Sequence, residues 1–485
     1  KTVTVEPTAK VSVSATESGH GGTINIHADE KTTIQGTLLA QGGKESGNGG
    51  TISTTSHGQV EIAQTAEVKA GVRGTSGNVG TWKVEAAAVQ VNTVNAAVIS
   101  SAINHNNVTV KATTAGCQTL GTCAQVATSE ISAGQVKVAA DAVIQKTSPR
   151  LTHLSIEATG DAQNPSLVEV SGRIESAELS PMTLKIMSEH AVELRQISAL
   201  IAQNIEIISE NGLYNGAISS YFGSSNGMPL GAISLFARTL AITGSVRSGS
   251  QNRAGSIKID GEDSVAIQNA SIIANGSDGG NVEIVSWNGT VSLINSVVQT
   301  NGGEGRGGAI SVAGLHDVAI SGATLEATGT TQGGQVTVTS SAGDVNFLNA
   351  IIQTNGGSGL GGTISFDAFN SLTINGQLSS NSQSAKAGQI TLVAKDILLG
   401  SQANLQATGS TGGGTILVGG DWQGSGSLRQ ATTVTMNQGA VIDASATQNG
   451  DGGKVVLWSD IHNLNSVTTV NSRIFAKAGL LGGNG

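Results

Sequence analysis

The residues best suited to chemistry are acidic, and they are densest in one short stretch. Asp260, Glu262 and Asp263 lie together in KIDGEDSV. Neighbouring carboxylates can hold calcium or act as acid and base in glycoside hydrolysis. Such a centre also needs matching carboxylates on adjacent segments, and the equivalent stretch one repeat later, VEIVSWNGTV, has no aspartate. We therefore predict a solvated turn here, no catalytic residues and no enzymatic activity.

Other metal-binding residue types are too dispersed to predict a site. Asp278 in SDGG and Asp451 in NGDGG suit calcium, but the repeat with an aspartate in every copy is replaced by GEGRGG and GSGLGG. The histidines show no ligand spacing, and we interpret them as surface residues. They are His20, His27, His57, His105, His153, His190, His316 and His462. We predict no metal and no cofactor.

Two cysteines, Cys117 and Cys123, lie close together in AGCQTLGTCAQ. We expect a disulfide that closes a small loop on a turn and contributes roughly 2–2.5 kcal/mol. The alternative is a pair of free thiols. Two ligands make no zinc site, and the C-x-x-C spacing of a catalytic dithiol is absent.

The elements that carry these residues follow from a repeat, which is clearest between Gly279 and Leu392. A glycine precedes each strand-like segment, with steps of 28, 26, 28 and 26 residues, at Gly280, Gly308, Gly334, Gly362 and Gly388. A fixed period of this size is typical of a solenoid. Such starts from Gly22 to Gly483 predict about 18 coils of ~26 residues.

Within each repeat, apolar and polar residues alternate, as in a strand with one buried face. The residues expected to point inward are Val282, Ile284, Ile310, Val312, Val336, Val338, Ile364 and Phe366. Two further short strands complete each coil. Three short strands cannot fold alone, so the coils must stack. The sequence predicts an all-β, right-handed parallel β-helix, or β-solenoid.

Two columns of corner residues support this fold. The first contains Asn269, Asn295, Gly322, Asn349 and Asn375, and the second contains Asn275, Asn301, Thr328, Asn355 and Asn381. Asn and Gly tolerate the left-handed backbone of a sharp corner. Stacked Asn side chains can also form hydrogen bonds along the column.

Composition restricts the possible partners. The 485 residues include 67 glycines, 2% aromatic residues and 12% charged residues, as expected for a thin β rod with many corners. The net charge of −9 and the lack of a Lys/Arg cluster argue against nucleic acid and anionic membranes. No run has the length of a transmembrane helix. The chain starts directly on a strand-like KTVTVEP, so we expect a piece of a longer protein.

The repeat changes character along the chain and suggests four segments. These are N-terminal coils in residues 1–139, irregular coils in 140–230, the regular Gly-Gly repeat in 231–413, and C-terminal coils in 414–485 with an excursion at 419–432. In the irregular segment, HAVELRQISALIAQ is interpreted as two strands and a turn, although its composition also fits a helix.

Two regions are candidate recognition surfaces. One coil contains Tyr214, Tyr221, Phe222 and Met228, which predict a contact patch for sugar or protein; the alternative is that some of these rings fill the core. The second region lies near the C-terminal excursion. There the outward position of the first strand becomes apolar, with tryptophans nearby, at Leu417, Val456, Trp422 and Trp458. Either the excursion folds over this surface, or the surface is an interface with another domain or subunit.

The last hundred residues carry the most specific phrases. GGTILVGGD and IDASATQNGDGGKVVLW resemble exoproteins of the filamentous-haemagglutinin type, which Gram-negative bacteria export by two-partner secretion. The resemblance, with similar coils over most of the chain, implies a right-handed parallel β-helix exported by an outer-membrane secretion partner. The family's amino-terminal secretion domain is not in this sequence, so we interpret the chain as shaft.

These observations predict a non-catalytic secreted adhesin, a rod at the cell surface or in the biofilm matrix that contacts polysaccharide, host surfaces or sister cells. One alternative is a subunit of a self-associating extracellular filament, suggested by the apolar surface near Leu417 and Val456. Another is a polysaccharide-active β-helix enzyme, which the missing carboxylate cluster disfavours.

Overall fold

A computed structural model describes residues 1–128, 130–220, 231–249 and 254–485. Short parallel strands repeat along the chain and stack into a β-solenoid of about 15 turns, which confirms the predicted fold class. The chain divides into two compact units, one of Lys1–Gly227 with Ile233–Ala237 and the other of Met228–Ala232 with Arg238–Gly485. In the described residues, no helix is long and apolar enough to cross a membrane. The four predicted segments stay a prediction.

The elements of the first unit are, in chain order, β1 (Thr2–Val5), β2 (Lys10–Ser12), β3 (Thr23–Ala28), β4 (Lys31–Ile34), β5 (Thr37–Leu39), β6 (Thr51–Ser56), β7 (Gln59–Ile62), β8 (Glu67–Lys69), β9 (Thr81–Ala86), β10 (Ala88–Val91), α1 (Thr93–Ile103), β11 (Asn107–Thr113), α2 (Ala115–Leu120), α3 (Cys123–Val126), β12 (Gln135–Val138), β13 (Val143–Lys146), β14 (Thr152–Thr159), β15 (Leu167–Val170), β16 (Arg173–Ser176), β17 (Met182–Ser188), β18 (Ala191–Leu194), β19 (Ala199–Ala202), β20 (Asn204–Tyr214) and β21 (Ala217–Ser220). Strand β22 (Ala232–Ile242) contributes residues to both units.

The second unit contains β23 (Ser245–Ser248), β24 (Ser256–Gln268), β25 (Ser271–Ile273), β26 (Asn281–Ser286), β27 (Thr290–Ile294), β28 (Val297–Gln299), β29 (Ala309–Gly314), β30 (Val318–Ser321), β31 (Thr324–Glu326), β32 (Gln335–Ser340), β33 (Val345–Gln353), β34 (Thr363–Ala368), β35 (Ser371–Ser379), β36 (Gln389–Val393), β37 (Asp396–Leu399), β38 (Asn404–Gln406), β39 (Thr415–Val418), a 3₁₀ turn (Trp422–Gly424), β40 (Thr433–Met436), β41 (Val441–Asp443), β42 (Lys454–Leu457), β43 (Val467–Val470) and β44 (Arg473–Phe475).

Most strands pair in parallel with the equivalent strand of the next coil. In the second unit, the first strands form the continuous series β24, β26, β29, β32, β34, β36, β39 and β42. The eight residues predicted to point inward along this series are all buried, so the predicted inward and outward phase is confirmed. The alternation of apolar and polar residues was enough to predict which side chains are buried, because a strand places successive side chains on opposite faces.

One coil of the first unit departs from the prediction. Helix α1 takes the place of a third strand and packs between β8 and β13. Asn92 caps its first turn, and Asn104 at its other end accepts hydrogen bonds of 2.8 Å from the backbone N–H groups of Thr147 and Ser148. These side-chain bonds replace part of the lost strand ladder.

The predicted count of 18 coils is too high for an identifiable reason. The strand after Gly134, β12, pairs with β10 and β15 and is therefore the second strand of its coil. The helices α2 and α3 lengthen that coil, so its two strand-like segments suggested two separate coils. In the irregular segment, β18 and β19 confirm the interpretation of two strands with a turn.

The two columns of corner residues stabilise the coils in different ways. Asn269, Asn295, Gly322 and Asn349 have φ values of 51°, 48°, 61° and 50°, which confirms the left-handed corner; Asn375 instead lies within β35. In the second column, side-chain oxygens accept hydrogen bonds from the backbone of the next coil. Asn275 Oδ1 accepts from Asn301 N at 2.7 Å, and the same contact recurs from Asn301 to Thr328, Asn355 to Asn381 and Asn381 to Thr408.

The glycine before each first strand is required by close backbone approach. A Cβ atom on Gly308 would overlap the carbonyl oxygen of Gly280 in the coil below. The same overlap recurs at the equivalent glycines of the neighbouring coils. This explains why the repeat is marked by glycine.

Candidate ligand-binding surface

One corner of the second unit presents large apolar side chains to solvent in a single column. Trp287, Leu315 and Phe369 each follow the first strand of their coil, and we call these three residues the aromatic corner. Trp287 is 56% exposed and Phe369 is 55% exposed, in a chain with 2% aromatic residues. Backbone bonds from Leu315 N to Ser286 O (3.1 Å) and from Phe369 N to Ser340 O (3.0 Å) hold the column in register.

Ordinary strand geometry fixes the spacing of this corner. Coils rise by about 4.8 Å each, so Trp287 and Leu315 lie one coil apart, and Phe369 lies two coils beyond Leu315, roughly 14 Å from Trp287 along the axis. Ser341 occupies the column position between Leu315 and Phe369. Exposed apolar residues scattered singly are normal, but such residues at the same corner of three out of four successive coils indicate an interaction surface.

Polar side chains form a second column beside the aromatic corner. Asn288, His316 and Asn370 are exposed at the next position along the chain. Asp317 and Asp344 follow, and their carboxylates accept backbone hydrogen bonds from the next coil, at 2.9 Å from Asp344 N and 3.0 Å from Ser371 N. The surface therefore combines ring faces with amide, imidazole and carboxylate groups held on a rigid framework.

The excursion at residues 419–432 binds to one end of the aromatic corner. Arg429 donates to Phe369 O and to Asp367 Oδ1, both at 2.8 Å, and to Ala368 O at 2.5 Å. Its guanidinium carbon lies 6.0 Å from the centroid of the Phe369 ring. A cation near a ring face is attractive at this distance. Arg429 thus fixes the excursion against a coil formed about sixty residues earlier.

The same excursion lies against the apolar surface near the C-terminus, as the first of the two alternatives predicted, and the burial there disfavours an exposed interface at Leu417 and Val456. Leu417 and Val456 are paired across β39 and β42, and both are buried. Val456 is flanked on its face by Lys454, which forms an ion pair with Asp421 Oδ1 at 2.5 Å, and by Trp458. Trp458 Nε1 donates to Gln430 Oε1 at 2.8 Å. Burial of this surface by the chain itself removes the observation that motivated side-by-side association.

The remaining residues predicted to form contact surfaces differ in their burial. Trp422 is exposed on the excursion, and Trp458 is half-buried. Tyr214 is fully buried in the core of the first unit, so its ring is a packing residue and does not belong to an exposed patch. That burial raises the pKa of the Tyr214 hydroxyl. Tyr221, Phe222 and Met228 lie outside the described residues.

The acidic stretch lies within β24, so the predicted turn is wrong, and two of its carboxylates form ion pairs with cations of the same unit. Asp260 Oδ2 lies 2.7 Å from Lys258 Nζ, and Asp263 Oδ2 lies 3.0 Å from Arg238 Nε. The hydrogen bond with Asp260 raises the pKa of Lys258. Asp260 is buried and Asp263 is exposed, so the expected solvated turn is replaced by a strand that is solvated only in part.

The two cysteines are joined in the first unit. Cys117 in α2 and Cys123 at the start of α3 form a disulfide with Cα atoms 4.8 Å apart. Both sulfurs lie in a small cluster with Ala87, Val126 and Ala133. The predicted turn is therefore a pair of short helices.

Sequence reasoning missed Trp287 and Phe369, although a signal was present. Aligning the repeats on their glycines places SWNG, GLHD and AFNS at the same corner. The row of apolar residues is visible only in such an alignment. A shallow groove of about 770 Å³ runs along the glycine column, at the opposite end of the first strands from the aromatic corner. The described residues that line this groove include Gln332 and Gln335 but no charged side chain, so it offers little specific chemistry.

Comparison of the chain with models of known protein families gives no match, and comparison with curated proteins gives none either. The fold established for this chain is a parallel β-solenoid built from repeated coils.

Proposed function

We propose that this protein is a non-catalytic adhesive shaft that binds extended polysaccharide along the aromatic corner. The observation that carries the proposal is the row of exposed apolar side chains beside a column of polar ones. Ring faces suit the C–H surface of a sugar, and the polar column supplies donors and acceptors for hydroxyl groups. The coil rise of about 4.8 Å is close to the length of one hexose unit, so successive sugars would meet successive coils.

We further propose that the shaft belongs to a secreted exoprotein of the filamentous-haemagglutinin type. The phrases GGTILVGGD and IDASATQNGDGGKVVLW and the solenoid fold support this assignment. An outer-membrane partner would export the chain by two-partner secretion to the surface or biofilm matrix of a Gram-negative bacterium. Deleting that partner should retain the protein inside producing cells; unchanged surface labelling of the deletion strain would refute the export route.

Binding is tested by co-sedimentation of the purified chain with insoluble polysaccharides and by a glycan array. Each of Trp287→Ala and Phe369→Ala should weaken binding by roughly tenfold, since a well-packed aromatic contact contributes on the order of 1.5 kcal/mol. The matched control is Leu360→Ala, which removes an apolar side chain of 50% exposure from the turn at residues 355–362 of the same unit.

The outcomes separate the alternatives. Undiminished polysaccharide binding by the Trp287→Ala/Phe369→Ala double variant would show that the aromatic corner is not the binding site. Release of soluble sugars from a bound polysaccharide would show an enzyme instead of an adhesin. Electron microscopy of the same material that showed long regular fibres would favour the filament.

A further inference from the structure

The first unit brings together two histidines and an aspartate that look unrelated in the sequence. His27, Asp29 and His57 each offer a ligand atom, and these atoms all lie within 4.8 Å of one another. His57 Nδ1 is 3.8 Å from Asp29 Oδ1. The two imidazole rings meet edge to face, with centroids 4.6 Å apart and an interplanar angle of 71°.

Strand register explains why these residues converge. Strands β3 and β6 pair in parallel, with His27 opposite Thr55 and Ala28 opposite Ser56. Asp29 and His57 therefore follow their strands at the same corner of two consecutive coils. The spacing of 30 residues between the histidines differs from the 28-residue step of these coils, so the sequence alone gave no ligand pattern.

The two histidines of the group line a pocket of about 310 Å³. Its walls include Glu85, Lys111 and Gly116 as well as both histidines. Gly116 of α2 packs so closely on the His57 ring that a Cβ atom there would overlap the ring. The neighbouring Cys117–Cys123 disulfide braces this wall.

The ring nitrogens of the two histidines have different surroundings. His57 Nδ1 is buried and has no hydrogen-bond partner among the described residues. His27 Nδ1 lies 2.9 Å from Thr55 Oγ1. A hydroxyl partner on one ring nitrogen is the kind of contact that orients a histidine to bind metal through the other.

We propose that His27, Asp29 and His57 bind one divalent transition-metal ion of the Zn²⁺ type. Two imidazole nitrogens and one carboxylate oxygen are a common donor set for Zn²⁺, whereas Ca²⁺ prefers oxygen ligands throughout. Ligands of a tetrahedral Zn²⁺ lie about 3.4 Å apart. Small side-chain rotations at this partly exposed corner would bring the three ligand atoms to that separation. The ion would clip two consecutive coils together.

The test is isothermal titration of the full chain with Zn²⁺ and, separately, with Ca²⁺. We expect one Zn²⁺ per chain, at least a tenfold loss of affinity in His57→Ala and in Asp29→Asn, and no saturable binding of Ca²⁺. Co²⁺ bound in place of Zn²⁺ should give a visible absorption spectrum that both variants lose.

The matched control is His190→Ala. His190 Nδ1 lies 3.1 Å from Glu210 Oε2, so this position has a histidine and a carboxylate but belongs to no three-ligand group in the described part of the chain. Its variant should bind Zn²⁺ as the parent does. Equal isotherms for the parent and His57→Ala, or saturable binding of Ca²⁺ alone, would overturn the site. Circular dichroism without metal verifies that each variant is folded.

Discussion

A buried lysine makes the stability of the first unit depend on pH in an unusual direction. Lys146 at the end of β13 has no solvent-exposed surface. Its Nζ donates to the Oγ atom of Ser148 at 2.6 Å and to the Ser148 carbonyl. Within the described residues, no carboxylate lies within ion-pair distance of it. Burial lowers the pKa of Lys146 from 10.5 to about 8.

The size and sign of the effect follow from proton binding. Between pH 8 and 10.5 the unfolded chain holds a proton on this lysine that the folded chain has released, so the free energy of unfolding rises with pH. Integrated from pH 7 to pH 10, a shift of this size gives about 2.5 kcal/mol. Below pH 8 both states are charged, and the folded state bears the whole cost of the buried ammonium.

The assay is urea unfolding of the parent chain and of Lys146→Met at pH 7, 8, 9 and 10. The stability difference between parent and variant should shift by about 2.5 kcal/mol in favour of the parent as pH rises. Tyr214 titrates at higher pH and is present in both the parent and the variant, so its contribution cancels in the stability difference. Lys137→Met, on the outward side of β12, is the control and should follow the parent. Parallel curves for the parent and Lys146→Met would refute the reasoning.

Three further substitutions test the second unit. Val336→Asp places an unpaired charge in the continuous core and should lower the unfolding free energy by at least ~4 kcal/mol. Thr337→Asp, on the outward side, should change it by less than ~1 kcal/mol. Equal melting temperatures for the two variants would contradict the assignment of inward and outward residues. Gly308→Ala should prevent close stacking of its coil. Gly303→Ala should be tolerated, because its Cβ atom would lie 3.5 Å from the Gly276 carbonyl oxygen. Similar thermal melts for the two variants would contradict the close-approach argument. Arg429→Ala should release the excursion and speed proteolysis within residues 419–432 without changing the melt of the solenoid; unchanged cleavage would mean that the other contacts of the excursion hold it.

The sequence determined the parts of this protein that depend on local order. Alternation in β26, β29, β32 and β34 specified which side chains face the core, because strand geometry assigns alternate residues to opposite faces. The repeated glycines and asparagines specified the corners, because few residues accept close backbone approach or a positive φ. Together these signals were sufficient for the fold class.

Only the tertiary structure decided which distant residues meet. The count of coils, the position of helix α1 and the return of Arg429 to Phe369 depend on how insertions change the length of individual coils. The meeting of His27 with His57 depends on the pairing of β3 with β6. Leu417 illustrates the limit: alternation places it outward, yet the excursion buries it. The residue pattern within one strand determines which side chains point outward. Which distant residues contact those side chains depends on the lengths of all the coils that lie between them in the chain.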